Sequence, residues 1–216
     1  MTFDNQKDYW NKVARDKEFT TSVDLELIAS FLTTNALIVD YGCGYGRTLN
    51  ELYAHGFKNS IGFDFSDEMI QRGRLEYPHL NLKTGKNNKI DCFSDSVDLV
   101  ILFAVLTCII DNNKQKQLLE EISRVLKPEG FIYINDFLLN NDERNLQRYK
   151  ASADKYGTFG VFELPEGAIL RHHDEKWIPE LTAGFKQEAF KKIEFKTMNG
   201  HVSNGFVFLG RKQMEG

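Results

Sequence analysis

The run Leu37-Ile38-Val39-Asp40-Tyr41-Gly42-Cys43-Gly44-Tyr45-Gly46-Arg47 constrains this chain more than any other segment. An apolar stretch ends in an acid, glycines follow at alternate positions, and a helix-compatible segment begins. This is the order of a first strand, a tight turn and a first helix built around a nucleotide-like ligand. Glycine accepts positive φ and lets a ligand approach the main chain closely. The free N–H groups at the start of a helix can receive anionic or polar ligand atoms. The spacing separates this turn from a dinucleotide site, whose G-x-G-x-x-G uses its third glycine for close helix–strand packing. Here the pattern is G-x-G-x-G, and Arg47 stands where the longer pattern needs glycine. A carboxylate at Asp40 would sit poorly beside a pyrophosphate, but it suits a ligand carrying a cationic amino group.

Strand and helix patterns alternate on either side of this run. Ala36 to Tyr41, Ser60 to Phe65, Leu80 to Thr84, Val97 to Leu102 and Phe131 to Asn135 read as strands. Val97 to Leu102 is a near-continuous apolar run, as expected of a strand buried on both faces of a parallel sheet. Arg47 to His55, Ser66 to Tyr77 and Asn113 to Leu126 read as helices, the second with Ser66 as N-cap and Pro78 as its end. Repeated βα alternation predicts an α/β fold with a doubly wound, mostly parallel sheet, in which ligands bind at the carboxyl ends of the strands where strand order reverses. After residue 136 the pattern changes. Asn140 to Ser152 is polar and helix-compatible, Tyr156 to Leu170 mixes Gly, Pro and aromatic residues, and Asp174 to Ala183 reads as a short helix capped by Asp174. Ile193 to Met198 and Gly205 to Leu209, joined by Asn199-Gly200-His201, read as an antiparallel pair.

The run Asp40-x-Gly42-x-Gly44-x-Gly46 resembles the glycine-rich loop of the class I S-adenosylmethionine-dependent methyltransferases, D/E-x-G-x-G-x-G. Arg124-Val125-Leu126-Lys127-Pro128-Glu129-Gly130 resembles the R-x-L-K-P-G-G segment before strand five in the small-molecule branch of that family, with Glu129 in place of the first glycine. The resemblance implies a Rossmann-like, seven-stranded sheet ending in an antiparallel hairpin, one domain over residues 1–216, an N-terminal helical lid at 1–30 and a substrate-side insertion at 137–184. It also implies S-adenosylmethionine as cofactor. Asp40, Tyr41, Gly42, Cys43 and Gly44 would wrap its methionine part. Asp64, at the end of strand two, would take both ribose hydroxyls, a contact that suits the lone pairs and planar geometry of a carboxylate. Phe65 would meet the adenine, and Met69 reads as core or pocket wall. After strand three the family often has an acid facing the adenine amino group. Here Lys86 occupies that place and has no acceptor to offer, so Asn87 or Asn88 would take the role. Phe103, in Phe103-Ala104-Val105-Leu106-Thr107-Cys108, would border the cofactor and acceptor pocket.

Composition narrows the partners. With 27 Lys plus Arg against 31 Asp plus Glu, the net charge of −4 gives no general attraction to nucleic acid, although a local basic patch stays open. The chain has neither an Asn/Asp-Pro-Pro-Tyr/Phe motif nor a Pro-Cys pair, the marks of many amino and cytosine-carbon methylating enzymes. Cys108 lies near where such a nucleophile would sit and reads as a small buried hydrophobe. Three scattered cysteines, Cys43, Cys92 and Cys108, fit a reducing compartment, the first residues carry no signal-like apolar stretch, and Leu99 to Leu106 is too short to span a bilayer. A cytoplasmic protein with no membrane partner is expected; the oligomeric state is not readable.

Methyl transfer from a sulfonium is an in-line displacement in which proximity and orientation supply much of the catalysis. A base is needed only if the acceptor must lose a proton. Arg171-His172-His173-Asp174 is the first substrate-side candidate, with Arg171 and His172 as contacts and His172, His173 and His201 as candidate bases. Adjacent histidines on extended chain point to opposite faces, so His172 and His173 would not chelate a metal together, and none is expected. Tyr9 and Trp10 begin an amphipathic segment that would cover the site, and Lys12 and Arg15 are within its reach. A small-molecule acceptor is the first reading. A macromolecular acceptor, a non-catalytic cofactor-binding module and a nicotinamide-dependent reductase are the alternatives, the last disfavoured by the glycine spacing and by the lack of a Tyr-x-x-x-Lys pair.

Overall fold

The computed structural model describes residues 6–85, 89–197 and 200–213. Helices α1 (Gln6–Val13) and α2 (Leu25–Phe31) precede β1 (Ile38–Tyr41), α3 (Arg47–Ala54), β2 (Ser60–Asp64), α4 (Asp67–Glu76), β3 (Asn81–Thr84) and β4 (Val97–Phe103). A short 3-10 turn at Leu106–Cys108 leads to α5 (Asn112–Val125), β5 (Leu126–Phe137), α6 (Glu143–Tyr156), β6 (Val161–Glu163), β7 (Ile169–Arg171), α7 (Trp177–Leu181), β8 (Phe185–Lys196) and β9 (Val202–Lys212).

Seven strands form one sheet in the order β3-β2-β1-β4-β5-β9-β8. The pairs from β3 through β5 are parallel, and β9 is antiparallel to both β5 and β8. This is the doubly wound, mostly parallel sheet with a terminal antiparallel hairpin expected from the sequence. The chain leaves β1 towards β2 and leaves β4 towards β5, so order reverses between β1 and β4. The connections diverge there and open a crevice at the strands' carboxyl ends.

The sheet is buried on both faces because its central strands alternate apolar residues to both. Val39, Val100, Leu102, Ile132 and Ile134 face a layer built from α5 and α7, including Leu118, Ile122, Trp177 and Ile178. Ile38, Leu99, Ile101, Phe131 and Tyr133 face the opposite layer, with Leu27 and Ile28 of α2 and Leu49 and Leu52 of α3. Each fully buried large side chain contributes about 1.5–3 kcal/mol. The helices start where short polar side chains cap them: Ser66 Oγ accepts from Met69 N, Asp111 Oδ1 from Lys114 N, and Asp142 Oδ1 from Asn145 N.

Several elements differ from the sequence reading. The strand expected over 131–135 starts at Leu126, which pairs with Val97 across a register shift. Within it, Glu129 takes φ 64°, the left-handed conformation for which the family pattern has glycine. Tyr156 to Leu170, read as irregular, contains β6 and the start of β7, an antiparallel pair of three-residue strands too short to show periodicity. Asp174 does not cap a helix over 174–183: its Oδ1 accepts from Lys176 N in a preceding turn, and α7 begins at Trp177. β8 begins at Phe185, eight residues before the expected Ile193. Residues 1–30, expected as a helical lid, divide, because α2 belongs to the core layer. In the same way α7, within the expected 137–184 insertion, is part of the opposite core layer. No helix among the described residues is long and apolar enough to cross a membrane.

Candidate functional site

A cavity of about 540 Å³ opens at the carboxyl ends of β1 and β4. Its size is that of a small-molecule or cofactor site. The turn after β1 forms one wall. Gly42 and Gly44 hold φ of 79° and 56°, and a Cβ on them would stand 2.5 Å from Val105 Cγ2 and 2.7 Å from Phe19 Cε2. Glycine is therefore required there both by conformation and by close approach. The turn is tied to β2: Gly42 N and Cys43 N donate to Phe63 O, and Gly44 N donates to Asp64 Oδ2 at 2.9 Å.

Asp40, the penultimate residue of β1, lines the cavity. It is 1% exposed, and neither carboxylate oxygen has a hydrogen-bond partner among the described residues. Burial pushes its pKa up to about 7; Arg47 pulls it down and the nearby Asp64 carboxylate pushes it up. Two buried, unpaired acceptor atoms lining a cavity are costly unless a ligand supplies donors. Asp64 accepts from Ser66 N at 2.8 Å and from Gly44 N. Burial raises its pKa to about 6, against the lowering effect of those two bonds. Each of its oxygens retains acceptor capacity. Phe65, 36% exposed, stands at the rim, and Met69 is buried in the wall.

The end of β4 forms the opposite wall through Phe103, Ala104, Val105, Thr107 and Cys108. Ala104 has φ 54°, which turns the chain sharply away from the sheet. Asp136, wholly buried, accepts from Phe137 N at 2.7 Å and Thr107 N at 3.2 Å and organises this turn. Its pKa is pushed up to about 7 by burial against those amide bonds. The Cys108 thiol is pushed up to about 12, by burial and then by Asp136. It stays protonated, as befits a partly buried wall residue rather than a nucleophile.

Helix α1 straps the cavity. Asn11 Oδ1 accepts from Ser66 Oγ at 2.8 Å and Lys7 pairs with Asp67, while Gln6 Nε2 donates to Ile169 O in β7. Trp10 and Phe19 line the cavity, and Phe19 stacks on Tyr45 at 5.2 Å. On the far side α6 and the β6–β7 hairpin contribute Arg144, Arg148, Phe162 and Leu170, joined by Phe137 and Phe195. Sequence reasoning assigned none of these six to the site. Arg144 and Arg148 lie four apart on a polar helix, a visible spacing that carries no indication of which way the helix faces.

The sequence-derived candidates are placed unevenly. Asp40, Gly42, Cys43, Gly44, Asp64, Phe65, Phe103, Trp10, His172 and His201 line the cavity. Tyr41 follows in β1 but is not in the lining, and Asn87 and Asn88 lie outside the described residues. Tyr9 is buried against Trp10, and its phenol is pushed up to about 12, chiefly by burial. Arg171 turns away from the cavity: its Nη1 donates to Ile110 O at 3.0 Å and Asn112 Oδ1 at 2.6 Å, so it braces the segment after β4. His173 is likewise enclosed, between Gln115 Nε2 and Phe137 O, and burial lowers its pKa to about 3. Neither is in the cavity lining. The two adjacent histidines do diverge, since His172 faces Tyr149 and Asn140 instead. Among the described residues no group of three or more His, Cys, Asp or Glu could hold a metal ion.

Residues 39–134 match the model of the methyltransferase domain family. The chain is 30% identical over 155 residues to a ribosomal protein L11 methyltransferase from Photorhabdus laumondii, covering 68% of this chain and 48% of the relative. It is 29% identical over 98 residues to a probable S-adenosylmethionine-dependent methyltransferase from Mycolicibacterium smegmatis, covering 45% and 37%. The chain thus spans half or less of the length of these curated relatives. A solved SAM-dependent methyltransferase from Methanosarcina mazei superposes with a TM-score of 0.83 at 26% identity, covering 90% of this chain and all of that one.

Proposed function

Since the chain belongs to the class I S-adenosylmethionine-dependent methyltransferases, we propose that it transfers the methyl group of S-adenosylmethionine to a small-molecule acceptor held in the 540 Å³ cavity. The observation that carries the reading is the buried carboxylate of Asp40, unpaired among the described residues and lining the same cavity as a glycine turn held at positive φ.

The donor set fits the cofactor. Asp40 and the turn through Gly42, Cys43 and Gly44 would hold the methionyl portion, with Asp40 taking the amino group as a charge-assisted contact. Asp64 would accept the ribose hydroxyls with lone pairs left free by Gly44 N and Ser66 N. Phe65 and Met69 would flank the adenine. When bound, the cofactor supplies an electrophilic methyl group on a sulfonium that leaves readily. The chain's own contribution is position and exclusion of water. The β4 turn, held by Asp136, sets the wall nearest the switch point. Trp10 on the α1 strap and Phe19 in the loop after it would close over the site as a lid, screening it from solvent. No residue in the wall is obliged to act as a base.

A macromolecular acceptor is the second reading, favoured by the ribosomal protein methyltransferase among the relatives. The strap argues against it, because α1 bridges α4 and β7 across the route a large substrate would take. Calorimetric titration with S-adenosylmethionine, S-adenosylhomocysteine and NADH tests the assignment. Micromolar binding of the first two and none of the third is expected; NADH binding without either adenosyl ligand would sink it.

A further inference from the structure

The cavity carries charge at both ends. Asp40 and Asp64 lie at the β1–β2 end together with Arg47, whose charge already acts on Asp40, and the α6 end carries Arg144 and Arg148. The Arg148 guanidinium lies 3.5 Å from the centre of the Phe162 ring, and its Nε is buried without a hydrogen-bond partner. Among the described residues it has no carboxylate in ion-pair reach, and Arg144 has only Asp142 at 3.9 Å. Glu163, the acid that lines this end, is already taken by Lys155 Nζ and by Tyr156 Oη.

A third donor faces the same region. The Asn140 amide is fixed because its Oδ1 accepts from Asn204 N at 2.8 Å, which turns Nδ2 towards His172 Nδ1 at 3.1 Å. Tyr149 Oη reaches the same Nδ1 at 2.6 Å while itself accepting from Asn140 N. Asn140 Nδ2 also reaches Leu138 O at 3.1 Å and Ser203 Oγ at 2.9 Å, so the tautomer is assigned from Tyr149: its Oη accepts from Asn140 N and donates to Nδ1, which leaves the ring proton on Nε2. Nε2 has no partner among the described residues, and His172 lines the cavity between the rings of Phe137 and Phe162. Burial and the Arg148 charge keep this imidazole neutral at any ordinary pH. His172 thus offers an N–H rather than a base, which revises the base role expected for it.

Resting on the methyltransferase reading, we propose that the acceptor is a small oxyanion, in the first instance a carboxylate, with an apolar body. Its anionic group docks on Arg148, Arg144 and the Nε2–H of His172, and its body lies against Phe137, Phe162 and Leu170. A guanidinium fork matches a carboxylate in plane and spacing, and an unpaired, half-buried cation gains most from an anionic ligand. This orientation would place the far end of the molecule towards the switch point, where the methyl group would be presented.

The test is calorimetry on the full chain. First, S-adenosylhomocysteine is titrated into wild type, Arg148→Gln and the more exposed Arg144→Gln. Equal affinities are expected. No binding to wild type would sink the methyltransferase reading itself, whereas a loss confined to Arg148→Gln would show that the guanidinium holds the cofactor's own carboxylate and overturn the proposal. Second, benzoate, phenyl phosphate and benzamide are titrated into the protein saturated with S-adenosylhomocysteine. Benzoate or phenyl phosphate should bind about tenfold or more tightly than benzamide, and each arginine variant should lose much of that preference. Which anion binds better identifies the oxyanion. Benzamide binding as well as the two anions, or an anion preference unchanged in both variants, overturns the proposal.

Discussion

Gly44 N donates to Asp64 Oδ2 at 2.9 Å, so the acid that ends β2 holds the glycine turn that follows β1. One carboxylate thereby couples the two halves of the proposed cofactor site. Asp64→Ala should weaken S-adenosylhomocysteine binding by about 1–3 kcal/mol, because it removes an acceptor from buried hydroxyls and releases the turn. Calorimetry checks this, and an unchanged affinity would refute the ribose role.

Asp40 should set stability against function. Its pKa in the folded protein is raised to about 7 from an ordinary 3.8, so the fold binds its proton more tightly than the unfolded chain does. Its contribution to stability is therefore most favourable below pH 4 and is lost as pH rises to about 7. Asp40→Asn removes that ionisation. The variant should match wild type near pH 4 and exceed it near pH 7 by an amount on the order of a few kcal/mol. Thermal unfolding of both proteins without ligand across that range measures the difference; a constant gap would contradict it.

The same titration has the opposite effect on ligand binding. A cationic amino group needs the Asp40 carboxylate charged, so wild-type affinity for S-adenosylhomocysteine should fall as pH drops below about 7. Asp40→Asn should bind weakly at every pH and show a flatter profile. A wild-type profile that is flat from pH 5.5 to 8 would remove Asp40 from the site.

Glu129 occupies a left-handed conformation at φ 64°, and among the described residues its carboxylate pairs with the surface guanidinium of Arg211, at 3.3 Å. A non-glycine residue there costs about 1–2 kcal/mol, partly offset by the greater freedom glycine has in the unfolded chain. Glu129→Gly should raise stability by about 0.5–1 kcal/mol without changing ligand affinity. Denaturant unfolding decides it, and a destabilised variant would show that the Arg211 contact outweighs the strain.

The α1 strap is latched by the Ser66 Oγ to Asn11 Oδ1 bond of 2.8 Å. Asn11→Ala should speed dissociation of S-adenosylhomocysteine several-fold with little change in melting temperature, since the bond lies at the edge of the core. Stopped-flow dissociation reads this directly. An unchanged off-rate would mean that the strap does not gate the site.

The sheet and the β1–β2 end of the cavity were legible because they rest on short-range patterns. Strand alternation, the glycines at 42, 44 and 46 and the acids ending β1 and β2 each have a local physical cause, and the parallel topology follows from repeated βα units. Elements after residue 137 were less legible. β6 and β7 are three residues each and stabilise one another only by pairing, so neither has a period of its own. Arg171 and His173 read as site residues from composition, yet their partners, Asn112 and Gln115, lie 59 and 58 residues away in the chain.

The sequence by itself determined the doubly wound sheet, the position of the switch point and the acids of the first two strands that line the cavity, because periodicity, glycine conformation and strand-end chemistry are local. Only the tertiary structure decided which charged groups face the cavity. It turned Arg171 and His173 inward as braces, brought Arg144 and Arg148 from a polar helix to the cavity wall, and set His172 Nδ1 against Asn140 and Tyr149. Side-chain direction and tautomer depend on partners distant in the chain, and no local pattern encodes them.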